Sequence, residues 1–201
     1  MDYEKNIPNK SMMYRMKNRK TNVFEKTQAK SHSPEFEALF IEHWPRIYRL
    51  LRRLVGDPAE AEDLALETFI RLYQRYPFPD SRFNLGGWLH RVATNLGLRS
   101  VRSFKRRERY ELAAGKGALD QAPENRPAEI NAQGEERRLA RLVLAGMNER
   151  QARLLVLRYS GLAYKDIAKA LELSPTSIGP LLLRAEREFE KRFRALTEEE
   201  K

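Results

Sequence analysis

The chain has 201 residues, with 38 Lys and Arg against 28 Asp and Glu, a formal net charge of +10 and no Cys. That length accommodates one large domain or two small ones with modest cores, and the basic balance favours a polyanionic partner without saying which. The missing thiols exclude disulfides, thiolate catalysis, Cys-ligated zinc and iron–sulfur clusters, while the want of any ~20-residue apolar run or apolar N-terminal segment predicts a cytoplasmic protein with no membrane insertion.

Residues 1–33 are polar, rich in Lys and Asn and without apolar periodicity, which predicts a disordered basic tail. The pattern changes at Phe36. Phe36, Leu39, Phe40, His43, Trp44, Ile47, Leu50, Leu51 and Leu54 recur at three- and four-residue steps, one face of a long amphipathic helix ended by Gly56. His43, beside Trp44 on that stripe, reads as a packed histidine, and His32, His43 and His90 share no ligand-like spacing, so no metal or other cofactor is expected.

Asp57, Pro58 and Glu60 fit an N-cap, a first helical position and the third residue of a capping box, and predict a second helix over Pro58–Arg75. Leu64, Ala65, Thr68, Phe69 and Leu72 supply its buried stripe; Glu60, Asp63 and Glu67 make an adjoining acidic one. The Pro77-Phe78-Pro79-Asp80 stretch forces a loop. A third helix runs from about Asn84 through Trp88, Leu89, Val92, Ala93, Leu96 and Val101, and its end is basic, with Arg99, Arg102, Lys105, Arg106, Arg107 and Arg109 close together. Residues 113–134 collect Ala, Gly, Pro, Asn and Gln and read as a flexible linker.

A second module is expected over residues 135–201. Leu139, Leu142 and Val143 form a helix stopped by Gly146; Asn148 to Gln151 has capping-box spacing; the next helix carries Ala152, Leu155, Val156 and Tyr159 before Gly161. A short helix with Tyr164, Ile167, Ala168 and Leu171, a Glu172-Leu173-Ser174 turn and a last helix with Ile178, Leu182, Ala185 and Phe189 predict a helix-turn-helix. The expected fold is all-α: two small helical modules, residues 34–112 and 135–201, joined by the linker.

The segment Ala61-Glu62-Asp63-Leu64-Ala65-Leu66-Glu67-Thr68-Phe69 resembles the core-binding segment of bacterial RNA polymerase sigma factors of the extracytoplasmic-function group. Trp88-Leu89-His90-Arg91-Val92-Ala93-Thr94-Asn95 resembles the promoter-melting segment of that family, and Leu162-Ala163-Tyr164-Lys165-Asp166-Ile167-Ala168 with Leu183-Arg184-Ala185 resembles its C-terminal helix-turn-helix. The resemblance covers residues 36–196 in the family's order. It implies a factor without catalytic residues that binds core RNA polymerase, recognises promoter DNA, assists strand opening and is held by an anti-sigma factor.

By that resemblance Asp63, Leu66, Glu67 and Ile70 contact core polymerase, carboxylates on a rigid face being suited to a basic partner. Trp88, Arg91, Asn95, Arg99, Arg102, Lys105 and Arg106 are assigned to the minus-ten element, where unpaired bases need aromatic platforms and a basic track, though Trp88 shares a stripe with Val92 and reads at least as well as a buried core residue. Ser174, Thr176, Ser177, Arg184 and Arg187 are assigned to the minus-thirty-five element, with Ser174 capping the recognition helix. The family commonly has Gln at Leu66, here expected to be an exposed apolar contact, and Asp at Arg99. Gly179-Pro180-Leu181 departs most, because Pro180 as a sixth helical residue invites a kink or a later start capped by Ser177, and weaker upstream-element binding.

Two other readings compete. A stand-alone helix-turn-helix regulator explains the second module and the charge but gives the acidic stripe no job. An all-helical metalloenzyme using Glu60, Asp63 and Glu67 lacks the matching Glu-x-x-His ligands on a second helix.

Overall fold

The structure is a computed structural model that describes residues 34–75, 84–113 and 132–199. Among these the chain forms seven helices and no strand: α1 Pro34–Val55, α2 Pro58–Arg75, α3 Leu85–Ala113, α4 Ala132–Gly146, α5 Glu149–Tyr159, α6 Tyr164–Leu171 and α7 Pro175–Glu199.

Each boundary has a local cause. Helix α1 carries Glu35 and Glu37 in its first turn and Arg52 and Arg53 in its last, charges that oppose the helix dipole at each end. Gly56, at φ 88°, closes it with its N–H on the Arg52 carbonyl at 3.1 Å. Asp57 Oδ1 then accepts the Glu60 N–H at 2.7 Å, the cap that the sequence requires for α2. Asn84 does the same for α3 through the Gly87 N–H at 3.0 Å, and Asn148 for α5 through the Arg150 N–H at 3.0 Å.

The first module is a three-helix unit with an aromatic centre. Phe40 and Phe69 meet edge-on at 4.7 Å, Trp44 lies 5.8 Å from Phe69, and Phe36 meets Tyr73 edge-on at 5.2 Å, so α1 and α2 lock through rings worth about 0.5–1.5 kcal/mol per pair beyond their buried area. Helix α3 comes close enough to α1 that a Cβ at Gly97 would stand 2.5 Å from Leu54 Cδ2, which only glycine avoids.

The second module packs α5 and α4 against α7 and closes the pair α6–α7 over them. The two modules do not stand apart. Helix α3 packs on α1 and α2 in its own module and on α4, α5 and α6 in the other, and the buried side chains form one continuous core. That explains two departures from the expected pattern. Leu154 and Leu157 are buried beside Ala152 and Leu155, because α5 has neighbours on two sides, whereas Tyr159 is 70% exposed with its hydroxyl donating to Glu186 Oε1 at 3.4 Å.

Two boundaries shift. Helix α3 extends past Val101 to Ala113, and α4 begins at Ala132, so both ends of the expected 113–134 linker are helical. Tail residues 1–33, the Pro77-Phe78-Pro79-Asp80 loop and the rest of the linker lie outside the described residues.

Candidate nucleic-acid interface

Helix α2 turns its acidic residues away from the core. Asp63 is exposed, Glu67 is half-buried with Oε1 3.2 Å from Arg71 Nε one turn on, and Ile70 is half-buried beside them. Glu60 is partly turned inward, where its carboxylate accepts the Ser100 hydroxyl of α3. Leu66 corrects the expectation. It is 3% exposed and belongs to the core with Ala61, Ala65, Phe69 and Leu72, because α2 buries a stripe wide enough to take in both its neighbours on the wheel. Leu66 offers no exposed apolar contact.

Three polar residues of α3, Arg91, Arg102 and Lys105, reach the second module. Trp88 is half-buried and packs against the core. Arg91 Nη1 lies 2.7 Å from Glu172 Oε1 in the turn between α6 and α7; Arg102 Nη1 lies 3.9 Å from Glu149 Oε2 at the start of α5; and Lys105 Nζ donates to the Leu142 carbonyl at 3.4 Å. Arg99 and Arg106 are exposed. Asn95 is half-buried, and its Oδ1 is a buried acceptor with no donor among the described residues.

Asn95, Arg99, Arg102 and Arg106, but not Trp88, Arg91 or Lys105, line one cleft of about 710 Å³ together with Arg71, Leu96, Ser103, Glu149 and Arg153. The structure therefore brings together four of the expected minus-ten residues and adds two that sequence reasoning missed, Arg71 and Arg153. Arg153 carried no signal, because α5 reads as a core helix and only its contact with α3 makes its polar edge part of the cleft.

The helix-turn-helix forms as expected. Glu172 sits in the left-handed region at φ 57°, and the Leu173 N–H reaches back to the Ala168 carbonyl at 2.8 Å. Helix α7 starts at Pro175, not after Ser177, and continues through Pro180. The Ser174 hydroxyl does not play the expected capping role but pairs with the Thr176 hydroxyl at 2.7 Å, while the Ser174 carbonyl accepts the Ser177 N–H at 3.0 Å. Thr176, Arg184 and Arg187 are exposed and Ser177 is half-buried. The Arg158 guanidinium stacks over the Tyr164 ring at 5.2 Å beside this helix, a polar surface absent from the sequence expectations.

Two histidines titrate away from their usual value. Burial pushes His43 down, opposed by Glu42 and reinforced by Arg46. His90 is lowered chiefly by burial, against the hydrogen bond of Nδ1 to the Gly86 carbonyl at 2.8 Å, with His43 and Arg46 adding to the lowering. Among the described residues no group of His, Asp and Glu is arranged to hold a metal ion, and no helix is long and apolar enough to cross a membrane.

Residues 39–108 match the family described as Sigma-70 region 2, and residues 137–189 match Sigma-70, region 4. The chain is 34% identical over 155 residues to the ECF RNA polymerase sigma factor SigE of Mycolicibacterium smegmatis, a match covering 75% of this chain and 58% of that one. It is 42% identical over 60 residues to the ECF RNA polymerase sigma factor SigW of Bacillus subtilis, covering 30% of this chain and 32% of the relative. The chain thus spans less than two thirds of these relatives' own length. A similar fold, at TM-score 0.50 and 18% identity, occurs in the sigma factor RpoE of Bartonella quintana, solved in complex with the anti-sigma factor NepR; the likeness covers 81% of this chain and 98% of that one.

Proposed function

Because the chain belongs to the sigma-70 family, in its extracytoplasmic-function group, we propose that it is an alternative sigma factor that docks on core RNA polymerase, recognises a promoter through both modules and helps open the duplex. The observation that carries this is the presence of both family regions in order, one bearing the acidic α2 face and the basic α3, the other the helix-turn-helix. The factor works in the cytoplasm, without a catalytic group.

Each role follows from what the side chains can do. Asp63 and Glu67, on a helix fixed by the aromatic core, present carboxylates to a basic surface of core polymerase, with Ile70 at the edge of the same patch. Arg99, Arg102, Lys105 and Arg106 track the phosphates of the melted strand, and Asn95 reads an unstacked base beside Trp88 and Arg91. Thr176 and Ser177, at the start of α7, face the edges of duplex bases while Arg184 and Arg187 hold phosphates. The energy for opening comes from binding the single strand, so no covalent step is needed.

The packing of α3 on α4, α5 and α6 around one continuous core, with the Arg91 and Arg102 ion pairs at its edge, supports a free factor in which the basic face of α3 lies against the second module. The free factor is therefore closed, and polymerase separates the modules before DNA enters. An anti-sigma factor is the further partner, acting by holding the factor off polymerase.

The test is transcription from fragmented genomic DNA by core polymerase with and without the purified chain, mapping the 5′ ends of the transcripts. New start sites sharing two spaced upstream elements support the reading. An unchanged set of starts contradicts it.

A further inference from the structure

We infer that the cleft between the modules is a binding site for a small polyphosphate-bearing molecule, which joins α3 to α5 and holds the factor closed. Five guanidinium groups, Arg71, Arg99, Arg102, Arg106 and Arg153, line one cleft. Glu67 answers Arg71, and the single carboxylate of Glu149 is shared by Arg102 and Arg153. Arg99 and Arg106 have no ion pair among the described residues. Four of these guanidinium groups stand on α2 and α3, and α5 adds Arg153 together with its partner Glu149, so the cleft keeps a net positive charge that its protein neighbours do not neutralise and that suits an anion.

Hydrogen bonding points to the same place. Arg153 Nε is a buried donor with no acceptor among the described residues. A buried group left unmatched is costly, and this one belongs to the cleft wall, where a phosphate oxygen would accept from it. Guanidinium forks fit phosphate oxygens in pairs, and so many forks exceed what one phosphate group engages, which selects a chain of phosphates. The cleft, at about 710 Å³, is large enough for a small molecule, and its polar, open form suits a charged one.

Binding needs Arg153 from one module and Arg99 from the other, so the ligand stabilises the closed state by mass action. The consequence that it competes with the melted strand rests on the proposed role of α3. The binding itself does not, and is measured without polymerase or DNA.

The experiment is calorimetric titration of the full chain, at physiological ionic strength, with tripolyphosphate and separately with ATP. Saturable one-site binding is expected, weakened about tenfold or more in Arg153→Gln and in Arg99→Gln. Arg194→Gln, which removes a guanidinium paired with Glu190 on the far part of α7, is expected to bind as the wild type does. Circular dichroism of each variant separates lost binding from lost helix. Tighter binding of ATP identifies a nucleotide as the source, equal binding identifies the bare polyphosphate, and both uphold the site. No saturable binding of either probe, or equal weakening by Arg153→Gln and Arg194→Gln, overturns it. Retention on core polymerase is a separate readout, so failure of this site and failure of the sigma-factor reading are distinguishable.

Discussion

Arg91 Nη1 on α3 and Glu172 Oε1 in the helix-turn-helix turn are 2.7 Å apart, although 81 positions separate them in sequence. Glu172 makes this contact from φ 57°, and among the described residues it is the one non-glycine with a positive φ. A side chain in the left-handed region is costly, and it persists where its surroundings hold it. The pair itself is weak, since Glu172 is 80% exposed and exposed ion pairs contribute about 0–1 kcal/mol. Its significance is orientational: it marks which edge of the second module the shared core turns toward α3.

Glu172→Gly and Glu172→Ala both remove the ion pair, but only glycine removes the backbone penalty. The glycine variant should be the more stable of the two by about 1 kcal/mol, read as a difference in urea midpoint. Equal midpoints would mean that the turn is not held in the left-handed region.

Pro180 lies six positions into α7 without breaking it, so the helix goes without the bond that its N–H would have made to the Thr176 carbonyl. Pro180→Ala should raise the denaturation midpoint, by an amount corresponding to roughly 1–3 kcal/mol. It should also tighten binding of the full chain to an upstream-element duplex once that sequence is mapped. A lower midpoint would show that Pro180 is built into the helix rather than tolerated.

Legibility in the sequence followed the range of the interaction. The starts of α2, α3 and α5 were readable because caps such as Asp57 and Asn148 act within three residues, and the helix-turn-helix was readable because Ile167, Ala168, Ile178 and Leu182 keep their spacing and are buried. What escaped depends on contacts across the chain. Leu66 sits next to the acidic residues in sequence, and its place in the core follows from where α1 and α3 lie around α2. Leu154, Leu157 and Arg153 reveal that α5 is covered by α3, a relationship that periodicity in α5 alone does not carry. Of the candidate site, the residue types were legible. Their meeting with Glu149, Arg153 and Glu172 in one closed arrangement was not.

His43 and His90 give the fold a pH dependence whose sign is fixed. Both have folded-state values below the ordinary 6.5, so the unfolded chain takes up protons more readily. Their contribution to stability is complete above about pH 6.5 and is lost as pH falls through that value toward the lower folded-state ones. Thermal midpoints should drop between neutral pH and pH 5, and the drop should shrink in His43→Gln combined with His90→Gln. An unchanged slope in the double variant would assign the effect to other groups.

The account rests on α2 as a docking face. The most direct measurement is retention of core RNA polymerase by the tagged chain, comparing wild type with the Asp63→Arg, Glu67→Arg double variant, whose helix content is checked beforehand. Reversing charges on this solvent-facing side of α2 leaves the aromatic core intact. The account predicts that wild type retains polymerase and the folded double variant does not. Equal retention by both, or by neither, would contradict it.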